Sequence, residues 1–364
     1  MSENSDWLLE DRGHTTYPTR LYRLASGLNI EVPNSPESRN GYRPVALYLP
    51  GWTETELVSS RQSTAIRGMA SASLIHPREG TINDFKNFLV SVPDIVRYYN
   101  LISGAIWDPD VSAEDAAHAI ISDYTQGDNK LNKKFIGHAL NAGERRKENV
   151  QRAISFLALE GYDVHIWGHS LGGIDASMAT YDFLSTNNHD TNGLENEYVK
   201  LLGLLGSGGL LIDDSLTSII PRIAKTVGNE RREIISSPRK MAKMVFRSVL
   251  FIAENPALTF QEGHYAASGR LSGILRKMAV EYKLPMINVV AGNDAMFPAT
   301  KVINDTRDTI FAAKVYIDEA GHNFTEHQSG VVGDIANNAA REMKNSSSSR
   351  LDLDLQNGIA KANK

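Results

Sequence analysis

The chain has 364 residues, of which 41% are apolar and 22% charged, so it can build one large domain with a substantial core, or two if an inserted cap counts separately. Its 38 basic and 43 acidic residues leave a formal charge of −5, a small acidic balance that does not point to nucleic acid, which would need a basic face. With no cysteine at all, disulfides, thiolate catalysis and Cys-ligated zinc are excluded.

Residues 1–19 read as a poorly ordered lead, of which Met1 to Gly13 are polar and acidic. They show no basic flank followed by an apolar run, so no secretory signal is expected. The folded domain is expected over 20–343. Thr19 to Ile30 reads as two short strands with a turn at Ser26-Gly27, and Pro33 to Tyr42 as a loop. Pro44-Val-Ala-Leu-Tyr-Leu49 is a continuous apolar run ended by Pro50-Gly51, as suits a strand buried on both faces. A helix from Glu56 to Met69 and a strand from Ser71 to Ile75 follow. Residues 82–143 carry helix-like periods at Phe85–Ser103 and Ala113–Tyr124, the second capped by Ser112 with Asp115, and read as a helical insertion. Val150, Ile154 and Leu157 then share one helical face, and Gly161 stops that helix.

Asp163 to Trp167 is a strand that runs into Gly168-His169-Ser170-Leu171-Gly172-Gly173, with a helix from Ile174 to Leu184. Tyr198 to Leu205 is another buried strand. The most apolar stretch, Leu201 to Ile212, is too short to span a bilayer and is broken by four glycines. Residues 210–282 read as a mostly helical cap, with a start signal at Ser237-Pro238. Pro285 to Ala291 is a strand leading into Gly292-Asn293-Asp294. Ala312 to Ile317 is the last strand, leading into Ala320-Gly321-His322-Asn323-Phe324. A closing helix covers Gly333 to Met343, and the tail over 345–364 reads as disordered. No internal repeat is present, and a soluble, cytoplasmic protein is expected.

Strands alternating with helices predict a mostly parallel sheet with helices on both faces. Ligands in such sheets sit beyond the carboxyl ends of the strands. Ser170 follows one such end, in a G-x-S-x-G pattern between a strand and a helix. The glycines clear space for a sharp turn, and the helix N-terminus faces developing negative charge. A serine hydroxyl needs a base to take its proton. Of the ten histidines, His322 follows the last strand in a Gly-His-Asn turn and is the candidate; His327 is the rival, and His169 reads as structural. The imidazole needs a carboxylate to fix its tautomer. Asp294 follows the preceding strand, with Asp318 as the fallback; an Asx-turn residue is the plainer reading of Asp294. The order Ser170, Asp294, His322 suits a hydrolase triad on a parallel sheet. Two backbone N–H groups should hold the oxyanion: those of Leu171 and, after the early strand, Trp52.

On Pro50-Gly51-Trp52, Gly168 to Gly173, Gly292 to Pro298 and Ala320 to Phe324, the chain resembles the α/β-hydrolase superfamily. The resemblance spans about 20–343. It implies a twisted, mainly parallel sheet of eight strands with helices on both faces, Ser170, Asp294 and His322 as triad, and a small-molecule acyl substrate. Many members have His-Gly where this chain has Pro50-Gly51, and the cap matches no named subfamily.

The first expectation is cleavage of a carboxylic ester through an acyl-serine. Thioesterase, peptidase or acyltransferase chemistry with the same triad is the alternative, and a catalytically silent binding protein the third. No metal or other cofactor is expected: no compact ligand cluster and no phosphate-binding glycine loop stands out. The substrate-binding residues are left to the cap over 210–282. There, Arg239, Lys240, Lys243 and Arg247, continued by Arg270, Arg276 and Lys277, make a basic face. It reads first as solvated surface, and second as a weak membrane-surface contact. The oligomeric state is left open.

Overall fold

The computed structural model describes residues 8–12, 19–23, 28–33, 44–49, 51, 70–75, 118–123, 142–159, 161–187, 198–212, 214–229, 263–267, 271–318, 320–327, 329–345 and 360–363. In chain order these form β1 (Leu8–Arg12), β2 (Thr19–Arg23), β3 (Leu28–Pro33), β4 (Pro44–Leu49), β5 (Ala70–Ile75), β6 (His118–Asp123), α1 (Ala142–Leu159), β7 (Asp163–His169), α2 (Leu171–Asn187), β8 (Val199–Leu205), α3 (Leu216–Asn229), α4 (Leu271–Val280), β9 (Met286–Ala291), α5 (Ala299–Asp305), β10 (Ala313–Ile317), α6 (Phe324–His327), α7 (Ser329–Asn345) and β11 (Ala360–Asn363). Residues 263–267 add a short helical segment.

One sheet carries all the described strands, in the order β1-β2-β3-β6-β5-β4-β7-β8-β9-β10-β11. The block from β6 to β10 is parallel throughout. Antiparallel strands close both ends: β1, β2 and β3 on one side, β11 on the other.

The middle strands are mostly apolar and almost wholly buried because helices cover both faces. Alternate residues of each strand feed opposite layers. Val45, Leu47 and Leu49 of β4 join Val164 and Ile166 of β7 under Ile154 and Leu157 of α1, Ile174 and Ala179 of α2, and Leu271, Leu275 and Met278 of α4. Ala46 and Tyr48 join Trp167, Leu201, Leu205 and Val289 under Val332, Ile335 and Ala339 of α7. Trp167 fits because it lies over Gly203, where a Cβ would stand 2.0 Å from its ring.

The sequence reading and the structure differ in three strands. The periodic stretch Ala113–Tyr124 is expected as a helix inside an insertion over 82–143, yet residues 118–123 are β6. Two adjacent isoleucines, Ile120 and Ile121, favour extended backbone, and β6 fills a slot between β5 and β3 that hydrogen-bonds both its edges. β1 falls in the expected lead over 1–19, and β11 in the expected disordered tail over 345–364; each is made by pairing along a neighbour's edge. Among the described residues the sheet therefore has eleven strands, where eight are expected. The expected helices at 56–69 and 85–103, and the cap helix from Pro238, lie outside the described residues.

Within 210–282, α4 belongs to the sheet's own apolar layer. It bridges β8 to β9 and packs Leu275 and Met278 fully into the core. Of the expected basic face, Arg276 and Lys277 are described and exposed. Lys277 Nζ donates to the Tyr181 hydroxyl at 3.2 Å and lies 5.5 Å from the centre of that ring. Among the described residues, no helix is long and apolar enough to cross a membrane.

His165 is a buried titratable group inside β7. Burial, and secondarily the Lys200 charge, push its pKa down to about 3 from 6.5. The unfolded chain then binds a proton that the folded chain refuses. Its contribution to stability is present above pH 6.5 and is lost as the pH falls towards 3. Between pH 7 and pH 5 this one group should remove about 2 kcal/mol. Urea unfolding of the protein and of His165→Gln at both pH values checks it: the substitution should flatten the acid slope by that amount, and equal slopes would contradict it.

Candidate active site

Ser170 sits between β7 and α2 with φ 52°, left-handed backbone that a non-glycine residue adopts only under strain. The surroundings hold it there. Its N–H donates to the Leu205 carbonyl at 3.1 Å, and its own carbonyl accepts from the N–H groups of Gly173 (3.1 Å) and Gly208 (3.0 Å). The turn is tight enough that a Cβ on Gly168 would stand 2.4 Å from the Gly172 carbonyl oxygen, and one on Gly173 2.0 Å from Ser207 Oγ. The obstacle at Gly168 is backbone, which cannot rotate away. Gly168→Ala should therefore cost about 2–3 kcal/mol of stability by denaturant titration, and a change below about 0.5 kcal/mol would show that the turn is looser than this geometry.

The acid turn follows β9 in the same way. Gly292 donates its N–H to the Ile317 carbonyl (2.9 Å) and Asn293 to the Ala320 carbonyl (2.8 Å), so the turn after β9 is tied to the loop after β10. That loop carries His322. Asp294 Oδ1 accepts the N–H groups of Met296 (2.7 Å) and Phe297 (2.9 Å). This leaves Oδ2 for His322 Nδ1, at 2.9 Å. The other ring nitrogen, His322 Nε2, stands 3.0 Å from Ser170 Oγ. Asp294 is thus an Asx-turn residue and an imidazole partner at once.

All three residues are nearly buried: Asp294 is 4% exposed, His322 6% and Ser170 8%. The Phe297 ring stands 5.4 Å from the His322 ring, and Gly206 leaves room beside Asp294, where a Cβ would come 3.4 Å from Oδ2. Apolar walls of this kind strengthen a hydrogen-bonded relay. If the Nδ1 proton lies toward Asp294, as a carboxylate requires, Nε2 is the acceptor and Ser170 the donor.

His169 has a definite task. Its Nε2–H donates to the His322 backbone carbonyl at 2.9 Å, and the two rings lie 5.1 Å apart. Phe324 meets the His169 ring edge-on at 5.9 Å. His169 therefore helps fix the loop that carries His322. Nothing local in the sequence signals this, because the partners are 153 positions apart.

Of the expected oxyanion donors, Leu171 opens α2, so its N–H has no acceptor within the helix. Trp52 lies outside the described residues. Gly51, just before it, packs against the serine turn: a Cβ there would stand 3.0 Å from both Ser170 Cβ and His169 Nδ1. Asp318 is exposed at the end of β10, and His327 ends α6. Among the described residues, no group of three or more His, Asp or Glu side chains could hold a metal ion.

No protein-family model matches the sequence, and no curated protein matches it either. Solved structures do match. A hydrolase from Oleispira antarctica aligns over 87% of this chain and 94% of its own, at 9% identity and TM-score 0.47. An esterase from Exiguobacterium antarcticum aligns over 90% and 98%, at 11% identity and TM-score 0.43. A membrane phospholipase A described as a bacterial virulence factor aligns over 94% and 88%, at 12% identity and TM-score 0.49. On its own parallel sheet, the helices on both faces and the strained serine between β7 and α2, the chain has the α/β-hydrolase fold.

Proposed function

We propose that the protein is a serine hydrolase that cleaves a carboxylic ester through an acyl-serine intermediate. The observation that carries this reading is the unbroken chain from Asp294 Oδ2 through the His322 ring to Ser170 Oγ, with links of 2.9 and 3.0 Å. Ser170 Oγ attacks the ester carbonyl while His322 Nε2 takes its proton. Asp294 keeps the Nδ1 proton in place and stabilises the imidazolium that forms. The carbonyl oxygen gains negative charge, which the N–H of Leu171 and, from the sequence, that of Trp52 would hold. Collapse of the tetrahedral species expels the alcohol, which takes the proton back from Nε2. Water then repeats the sequence on the acyl-serine and releases the acid.

A panel of aryl esters of rising acyl length, with a thioester and an amide beside them, tests this, with products analysed in water and in water with added alcohol. Release of the free acid is expected from at least one ester. Transfer to the alcohol in place of release would make the protein an acyltransferase. No turnover of any ester, thioester or amide would favour the silent binding protein.

A further inference from the structure

We infer that Arg222, on α3, is a positioning residue for the Asp294 carboxylate; the inference rests on the triad reading above. Arg222 Nη1 donates to the Met296 carbonyl at 2.8 Å. That carbonyl and the N–H of Phe297 are two ends of one peptide unit. The same N–H donates to Asp294 Oδ1 at 2.9 Å. The guanidinium, the peptide and the carboxylate therefore form a continuous line of charge-assisted hydrogen bonds. A cation at the carbonyl end polarises the amide and strengthens its N–H as a donor. It also stops the peptide from turning, which would release Oδ1 and free the carboxylate to swing away from His322.

Arg222 is itself held in place. Its Nη2 pairs with Asp214 and donates to Ser218 Oγ at 2.9 Å, and its Nε donates to the Ser218 carbonyl at 2.9 Å. The Asp214 side chain is 1% exposed and also accepts the Ser218 hydroxyl at 2.7 Å. All three guanidinium nitrogens are thus engaged in a planar arrangement that lysine cannot copy. The line runs from the start of α3, in the segment after β8, to the turn after β9. Through it, the placement of α3 bears on the acid of the triad.

Arg222→Lys is the informative variant, because it keeps the charge opposite Asp214 and gives up the contact to Met296. Any change at His322 then reports geometry and not a lost charge. Among the described residues, the polar and titratable groups facing His322 are Asp294, Ser170 and His169, none of which the variant alters. Two readouts are used. One is kcat, KM and the acid limb of the kcat/KM profile on the ester turned over by the unaltered protein. The other needs no turnover: the far-downfield proton signal of the His322 Nδ1–H bonded to Asp294.

The expected result is a fall in kcat of about 10- to 100-fold with KM within about twofold. The acid limb should change, and the downfield signal should shift upfield or broaden. Unchanged kcat, acid limb and proton signal would overturn the inference. So would a loss of activity that follows only the loss of folded protein while the signal stays in place. If the protein shows the signal but turns over no ester, the proposed reaction fails while the signal in Arg222→Lys still decides the inference. Should the lysine variant not fold, Asp214→Asn takes its place: it unpairs the guanidinium, and the same shifts, smaller in size, are expected.

Discussion

Ser170→Ala should lower kcat/KM for the protein's ester by at least about 10,000-fold and leave its unfolding midpoint nearly unchanged. Only one atom, Oγ, is removed. No backbone bond of the turn uses it: the bonds that hold the strained φ run through the Ser170 N–H and carbonyl. The fold should therefore survive, and the remaining activity should be that of a site that binds but has no nucleophile. Steady-state rates with circular dichroism melting check both halves. A loss of less than about 100-fold would assign the attack to water or another group.

Asp294→Asn should be nearly as damaging, for a reason of proton placement. The Asp294 side chain gives Oδ1 to two N–H donors and Oδ2 to His322. An asparagine must keep its carbonyl oxygen toward Met296 and Phe297, since an amide NH2 cannot accept. Its NH2 then faces His322 Nδ1 and donates to it. The imidazole is left with its proton on Nε2, facing Ser170 Oγ, where it can no longer accept one. We expect kcat to fall about 10,000-fold with little change in KM. A variant with kcat within about tenfold of the original would mean that Asp294 serves the turn and not the ring.

The candidate site was legible because each of its parts is local. Ser170, Asp294 and His322 each lie in a short turn just past a strand, and parallel strands put such turns on one edge of the sheet. The continuous apolar run from Pro44 to Leu49 likewise forecast two covered faces. Most of what escaped reading depends on partners far away in sequence. β6 has a pattern that suits a helix until β3 and β5 offer it hydrogen bonds on both sides. β1 and β11 have little apolar content and exist as strands through edge pairing. α4 looked like part of a cap, and only the packing of Leu275 and Met278 assigns it to the core. His169 and Arg222 act through backbone carbonyls, which no side-chain pattern reveals.

The most direct measurement is covalent. A fluorophosphonate reacts with an activated serine and stays bound, so the protein should gain the mass of one phosphonyl group. Peptide mapping should place it on the segment that contains Gly168-His169-Ser170-Leu171, and His322→Ala should slow the labelling at least about 1,000-fold. An adduct on any other serine, or labelling of Ser170 at the same rate without His322, would contradict the relay on which this account stands.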